Sequence, residues 1–285
     1  MSLAALGLLF AAAVLHAGWN VLVKRAKQKQ VFTWWAILVG ALCFSPVLIV
    51  NRPLPLQIWP YVAGSALFEA LYFVGLTRAY DIDDFSLVYP LARGAAPALL
   101  VVWAALFLGE RPRPAGLAGL TLLVLGLVIV GSAAWWSQRQ IARPSLLGVA
   151  MALATACCIS IYSAIDGAAV HLVPSAPYTV VILGLSALLI APALLLRYGS
   201  RAVVAEWRTN WLRILLVGIL SVASYGLVLA VYSFSRISYA GAIREISIVL
   251  AAFIGWRWLG EGFGSVRLVG AVLIFAGILV IAIAG

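Results

Sequence analysis

Two arginines stand inside apolar sequence where a membrane or a protein core would be expected. Arg93 lies in YPLARGAAP, at Tyr89–Pro97, and Arg244 in AGAIREISI, at Ala240–Ile248. A guanidinium offers a planar fork of donors that fits a carboxylate through two parallel hydrogen bonds. Each arginine sits about eight residues into its run, roughly 12 Å at 1.5 Å per residue. Three uses compete for them. They could line a cavity, pair with the adjacent Glu245 or with Glu69 in another segment, or snorkel to an interface.

Other polar side chains recur at helical spacing. His16 and Asn20 are four apart on one face, with Trp19 beside Asn20. Together they offer a ring to stack on and polar groups to bond, or a polar contact between helices. A titrating histidine could also serve a proton-coupled step. Glu69 and Tyr72 are three apart, and Tyr89 and Arg93 four apart. Ser160, Tyr162 and Ser163 cluster, with Asp166 near the end of the same segment, and Tyr225, Tyr232 and Tyr239 follow later. Trp34, Trp35, Trp135, Trp136, Trp207 and Trp211 flank segment ends, as in an interfacial aromatic belt. Trp103 lies within a segment, where lipid is one surrounding open to it.

The elements that must hold these residues follow from composition. Of 285 residues 65% are hydrophobic and 10% charged, and the mean hydropathy is +1.11. A soluble domain is nearer half apolar and a quarter charged, so the chain reads as an integral membrane protein. Cys43, Cys157 and Cys158 lie in apolar runs, without the spacing of a disulfide framework or metal site. The net charge of +10 reads as basic helix ends facing anionic lipid, not as a nucleic-acid surface. No cofactor is called for.

Ten segments reach the roughly 20 apolar residues of a span. They are Leu3–Val23, Val31–Val50, Trp59–Thr77, Ser86–Leu108, Ala115–Trp135, Ser145–Val170, Pro177–Leu196, Trp211–Phe234, Ser238–Leu259 and Gly264–Ala284. Leu3–Val23 lacks a basic leading region and reads as a first span, not a cleaved signal. KRAKQKQ, NRPLPLQ, YDIDDF and GERPRP punctuate the series, and RYGSRAVVAEWRTN could form a surface helix. No segment alternates as a membrane strand does.

The two halves match in one register. A shift of 151 residues places Leu108-Gly109-Glu110 on Leu259-Gly260-Glu261, Gly119 on Gly270, Gly126 on Gly277, and Arg93 on Arg244. The expected fold is therefore all-α: ten transmembrane helices as two five-helix repeats, 1–137 and 138–285, around a central cavity. Five being odd, the second repeat is inverted, an arrangement of secondary transporters that bind substrate at the midplane.

LGE between the fourth and fifth helices of each half, followed by a glycine-spaced last helix, resembles the drug/metabolite transporter superfamily and its EamA-type exporters. HAGWNVLVK resembles the first helix of a bacterial subgroup. Pro97 stands thirteen residues before Glu110, as in the family pattern; Ile248 occupies the matching place in the second half. The resemblance implies a basket of helices around a cavity. It implies export of small metabolites across the bacterial inner membrane, with amino acids, aromatic ones included, as common substrates.

On that basis Arg93 and Arg244 bind a carboxylate. His16, Trp19, Asn20, Glu69, Tyr72, Tyr89, Tyr225 and Glu245 complete the expected site. Glu110 and Glu261 read as architectural, capping the next helix. A cation or multidrug exporter is the alternative, and would use Glu69 or Glu245. A lipid enzyme would need a nucleophile, base or metal constellation; the only histidines are His16 and His171, and no HExxH occurs. The chain is expected to be a transporter rather than an enzyme, with lipid and a small molecule as its partners, and to work as a monomer.

The basic residues divide unevenly between the two faces. On the face of the termini lie Arg52, Arg111, Arg113 and Arg236. Thirteen of the nineteen lie on the other. The positive-inside rule places both termini outside.

Overall fold

The computed structural model describes residues 1–24, 26–82, 85–136, 145–247, 249–250 and 265–284. Among them every regular element is helical, and none is a strand. The chain forms α1 (Leu3–Lys24), α2 (Lys29–Phe44), α3 (Pro46–Val50), a 3-10 turn (Leu56–Ile58), α4 (Trp59–Ile82) and α5 (Phe85–Phe107). It continues with α6 (Pro114–Trp136), α7 (Leu146–Ala169), α8 (Ser175–Tyr232), α9 (Ile237–Arg244) and α10 (Ser265–Ala284).

Two of these elements need physical reading. Pro46 opens α3 at a position where a missing N–H costs nothing, so α2 and α3 form one apolar stretch, Lys29–Val50, interrupted at Ser45. The 58 residues of α8 would reach about 87 Å if straight, nearly three hydrocarbon cores. The helix does not run straight. Gly199 has φ 75°, a left-handed conformation open to glycine, and Asn210 also leaves the helical region. These breaks divide α8 into 175–198, 200–209 and 211–232. The expected surface helix is the middle piece.

The expected segment Ser238–Leu259 differs from the structure. α9 ends at Arg244, and Glu245 forms a turn before helix resumes at Ile246. Residues 251–264, with Glu261, lie outside the described residues, so the ninth segment is described only to 250.

Side chains sort as lipid requires. Large apolar residues face outward: Ile49 is 87% exposed, Leu146 90% and Leu196 89%. Inside, Leu9, Leu100, Leu123, Tyr178, Tyr232 and Tyr239 are closed off. With lipid as apolar as leucine, association depends on close packing and polar contacts. α1 packs on α8, α2 on α8, α4 on α7 and α8, α5 on α6, α7 and α9, and α6 on α10. Ser224 ties α8 to α1 by donating to the Ala12 carbonyl at 2.8 Å.

Small residues set the closest approaches. A Cβ on Gly119 would lie 2.8 Å from the Gly277 carbonyl oxygen, and one on Gly126 2.6 Å from that of Gly270. Gly40 and Gly218 bring α2 and α8 equally close. The α6–α10 contacts are crossed: a higher number on α6 meets a lower number on α10, so the two helices run antiparallel.

Candidate functional site

The site begins with the motif LGE. Gly109 has φ 65°, the left-handed conformation that ends a helix, and the Glu110 N–H reaches back to the Ala104 carbonyl at 3.1 Å. The Leu108 N–H donates to the same carbonyl at 3.1 Å, so the turn at Gly109 closes the end of α5. The turn then aims the Glu110 side chain away from α6. Its carboxylate accepts from the Ile237 N–H at 2.5 Å, and from the Ser238 N–H and hydroxyl. Glu110 therefore caps α9, over a hundred residues away, and not the next helix as expected. A negative group at a helix N-terminus satisfies orphan donors and complements the dipole. Tyr239, one residue further, seats its hydroxyl on the Arg113 N–H at 3.1 Å.

The cap positions Arg244 at the other end of α9. Its Nε meets Glu245 Oε1 at 3.2 Å, and Arg93 Nη1 of α5 meets the same oxygen at 3.4 Å. Arg244 Nη2 also approaches Ser163 Oγ of α7, at 3.5 Å. Glu245 is 1% exposed and each arginine 11%. Neither arginine snorkels. Both contacts are single rather than forked, and the three side chains together carry one net positive charge.

A row of tyrosines runs from this cluster. The ring centroids of Tyr72 and Tyr162 are 6.1 Å apart, and those of Tyr162 and Tyr225 6.4 Å. Two acids border the row, Asp166 buried and Glu69 half-buried. Glu69 Oε2 accepts from the Ser186 hydroxyl at 2.6 Å. Asp166 accepts from Tyr178 at 2.8 Å and, through its other oxygen, from Tyr225. By helical rise, Arg93, Arg244 and Glu69 lie about 12, 10 and 15 Å from the start of their helices, near the middle of a 30 Å core.

The expected site residues separate into groups. Arg93, Arg244 and Glu245 are joined directly, and His16 lies against Trp19 on α1. Tyr72, Tyr225 and Glu69 border the tyrosine row. Asn20 instead bonds back to its own helix, at the His16 carbonyl, 2.7 Å away. Trp19 stands edge-on to His16 at 4.7 Å and packs with Phe32, Ala36, Ile214 and Val217. The Tyr89 side chain lies outside the described residues. Tyr162 and Asp166 were absent from the expected site. Their signals were an in-helix tyrosine one turn before a carboxylate in otherwise apolar sequence.

Comparison with known proteins decides the family. The model of the EamA-like transporter family matches residues 3–132 and again 146–283. The chain belongs to that family. It is thus a multi-pass membrane transporter of the drug/metabolite transporter superfamily, whose EamA members are transporters rather than enzymes. A solved structure titled only "Crystal structure of protein" is similar over 99% of both chains, with a TM-score of 0.79 and 21% identity. That similarity shows the EamA chain's fold alone. No curated protein matches it.

Within this EamA fold the tryptophans depart from the expected belt. Trp34 is buried, and its Nε1–H donates to the Ala187 carbonyl at 2.8 Å; that of Trp35 donates to Val203 at 2.9 Å. Both staple α2 to α8. Trp103 points inward, donating to Ser160 Oγ at 2.9 Å. Trp211, 48% exposed, keeps the belt position.

Proposed function

We propose that this transporter exports small carboxylates, amino acids including aromatic ones foremost, across the bacterial inner membrane by alternating access. The observation that carries the reading is the meeting of Arg93 and Arg244 on one oxygen of Glu245. Each fork makes a single contact with that oxygen. A substrate carboxylate supplies the forked geometry. Glu245 already occupies the receptor as a carboxylate, so substrate shares or displaces it. The tyrosine row Tyr72–Tyr162–Tyr225 offers faces to a side chain. His16 and Trp19 wall the site, with Asn20, Tyr89 and Glu69 as further members.

The reading includes ten spans in two inverted halves, 1–137 and 138–285, acting as a monomer with both termini outside. The crossed glycine contacts support it. A shift of 151 carries Gly119 to Gly270 and Gly126 to Gly277, while the contacts join 119 with 277 and 126 with 270. Reciprocal contact of this kind is what a two-fold axis produces.

Uptake of labelled amino acids into liposomes holding the purified protein tests the reading, with Arg244→Ala in parallel. Saturable uptake that the variant loses is expected. A folded parent that takes up no amino acid overturns it. A cation exporter is the second reading, favoured by Glu69, which has no cationic partner among the described residues. Loss of efflux in Glu69→Gln, with both arginines dispensable, would put the cation reading first.

A further inference from the structure

The Ser186 hydroxyl is asked for more protons than it has. Its oxygen lies 2.6 Å from Glu69 Oε2 and 2.8 Å from the Ile182 carbonyl. A hydroxyl has one proton to donate and lone pairs to accept with. With Glu69 ionised, Ser186 serves one acceptor, and a half-buried carboxylate is left with a single donor and no cation among the described residues. That is a costly state. With Glu69 protonated, the chain closes: the acid donates to Ser186, and Ser186 donates to Ile182. Asp166 differs, because it takes two separate donors, Tyr178 and Tyr225.

A cavity lies beyond Glu69, toward one end of α4. It measures about 360 Å³ and opens between Gln30, Phe73, Ile190 and Arg197. Phe73 and Ile190 each stand one helical turn beyond Glu69 and Ser186, toward the ends of α4 and of the first piece of α8. Those ends belong to the face that carries thirteen basic residues.

We infer that Glu69 holds a proton in the state seen here, and that a substrate ammonium group displaces this proton into the basic-side cavity. The inference rests on the amino-acid reading above. The step balances: the Glu69 O–H bond breaks, the proton passes to water, and the ammonium keeps its three N–H bonds and pairs with the new carboxylate. Before binding, Arg93, Arg244, Glu245 and a neutral Glu69 sum to one positive charge. After binding, the zwitterion adds none and ionised Glu69 removes one, so the assembly is neutral. One proton is exchanged for one substrate molecule.

The surroundings of Glu69 admit this role. α7 contributes Asp166 and Tyr162, and α8 contributes Ser186, Tyr178 and Tyr225. Arg93 of α5 is engaged by Glu245. Arg197 of α8 stands at the cavity. The 3-10 turn, Leu-Gln-Ile, brings no ionisable group.

Infrared difference spectroscopy of the protein in lipid, using L-phenylalanine as probe, tests the proton directly. A carboxylic-acid carbonyl band that vanishes in Glu69→Gln is expected, and L-phenylalanine should bleach it in the parent. Ser186→Ala should keep the band but shift it, because the acid loses its acceptor. Absence of a Glu69 band overturns the inference. In proteoliposomes with the potential clamped, an acidic interior should concentrate L-phenylalanine about tenfold per pH unit for one-to-one exchange. Glu69→Gln should lose that response. A persistent band during active uptake, or uptake indifferent to the gradient, overturns the exchange step. No uptake by the folded parent sinks the amino-acid reading instead, and the band still decides whether Glu69 holds the proton.

Discussion

Glu110 closes the first turn of α9 by accepting from the backbone and side chain of Ser238, 128 residues further along the chain. The last residue of α9 is Arg244. A motif at a helix end thus sets the angle at which the central arginine is presented. Removal of a capping side chain costs about 0.5–2 kcal/mol. Glu110→Ala should lower the melting temperature in detergent and weaken transport together. Glu110→Gln, which keeps an acceptor oxygen but loses the charge, should recover part of both.

Arg244→Lys keeps the charge and loses the fork. One charge-assisted hydrogen bond is worth about 1.5–3 kcal/mol, roughly a 10- to 150-fold change in affinity. Binding of a carboxylate substrate, read by calorimetry or by the Michaelis constant of uptake, should weaken within that range while the melting temperature stays near that of the parent.

Gly126 and Gly119 leave no room for a side chain against α10. Overpacking of this kind costs about 1–3 kcal/mol. Gly126→Val should destabilise the protein by that order in a thermal melt. Gly7→Ala is the control, because nothing lies within 4 Å of a Cβ there, and it should melt like the parent.

Asp166 satisfies two tyrosine hydroxyls from different stretches of α8. Asp166→Ala should strand both, at about 1–3 kcal/mol for each buried group left without a partner. Tyr178→Phe removes one donor and leaves the carboxylate its other, so its cost should be smaller. Thermal melts of the three proteins order these effects.

The arginines were legible early because a charge in apolar sequence is costly and its repetition at a fixed shift is rare. Their common partner was not, since adjacency in sequence does not say which side chain a turn will bring inward. Glu245 reaches both arginines because the ninth segment breaks at that residue. Glu110 was recognised as a cap, but its target depended on the reversal at Gly109, which sends the side chain across to α9. Asp166 and Tyr162 gather partners from three helices, a relation without local spacing. Trp34 and Trp35 followed the belt rule by position and broke it by packing, because their N–H groups found carbonyls on α8.

The crossed glycine contacts carry an evolutionary consequence. In an ancestor made of one half, pairing with a copy of itself, a single base change would have altered one end of both contacts at once. Selection would have judged each change twice over. Fusion of two such halves, as proposed above, removes that restraint, so each copy can drift alone. The chain bears both marks: the paired glycines persist in register, while Pro97 in one copy faces Ile248 in the other.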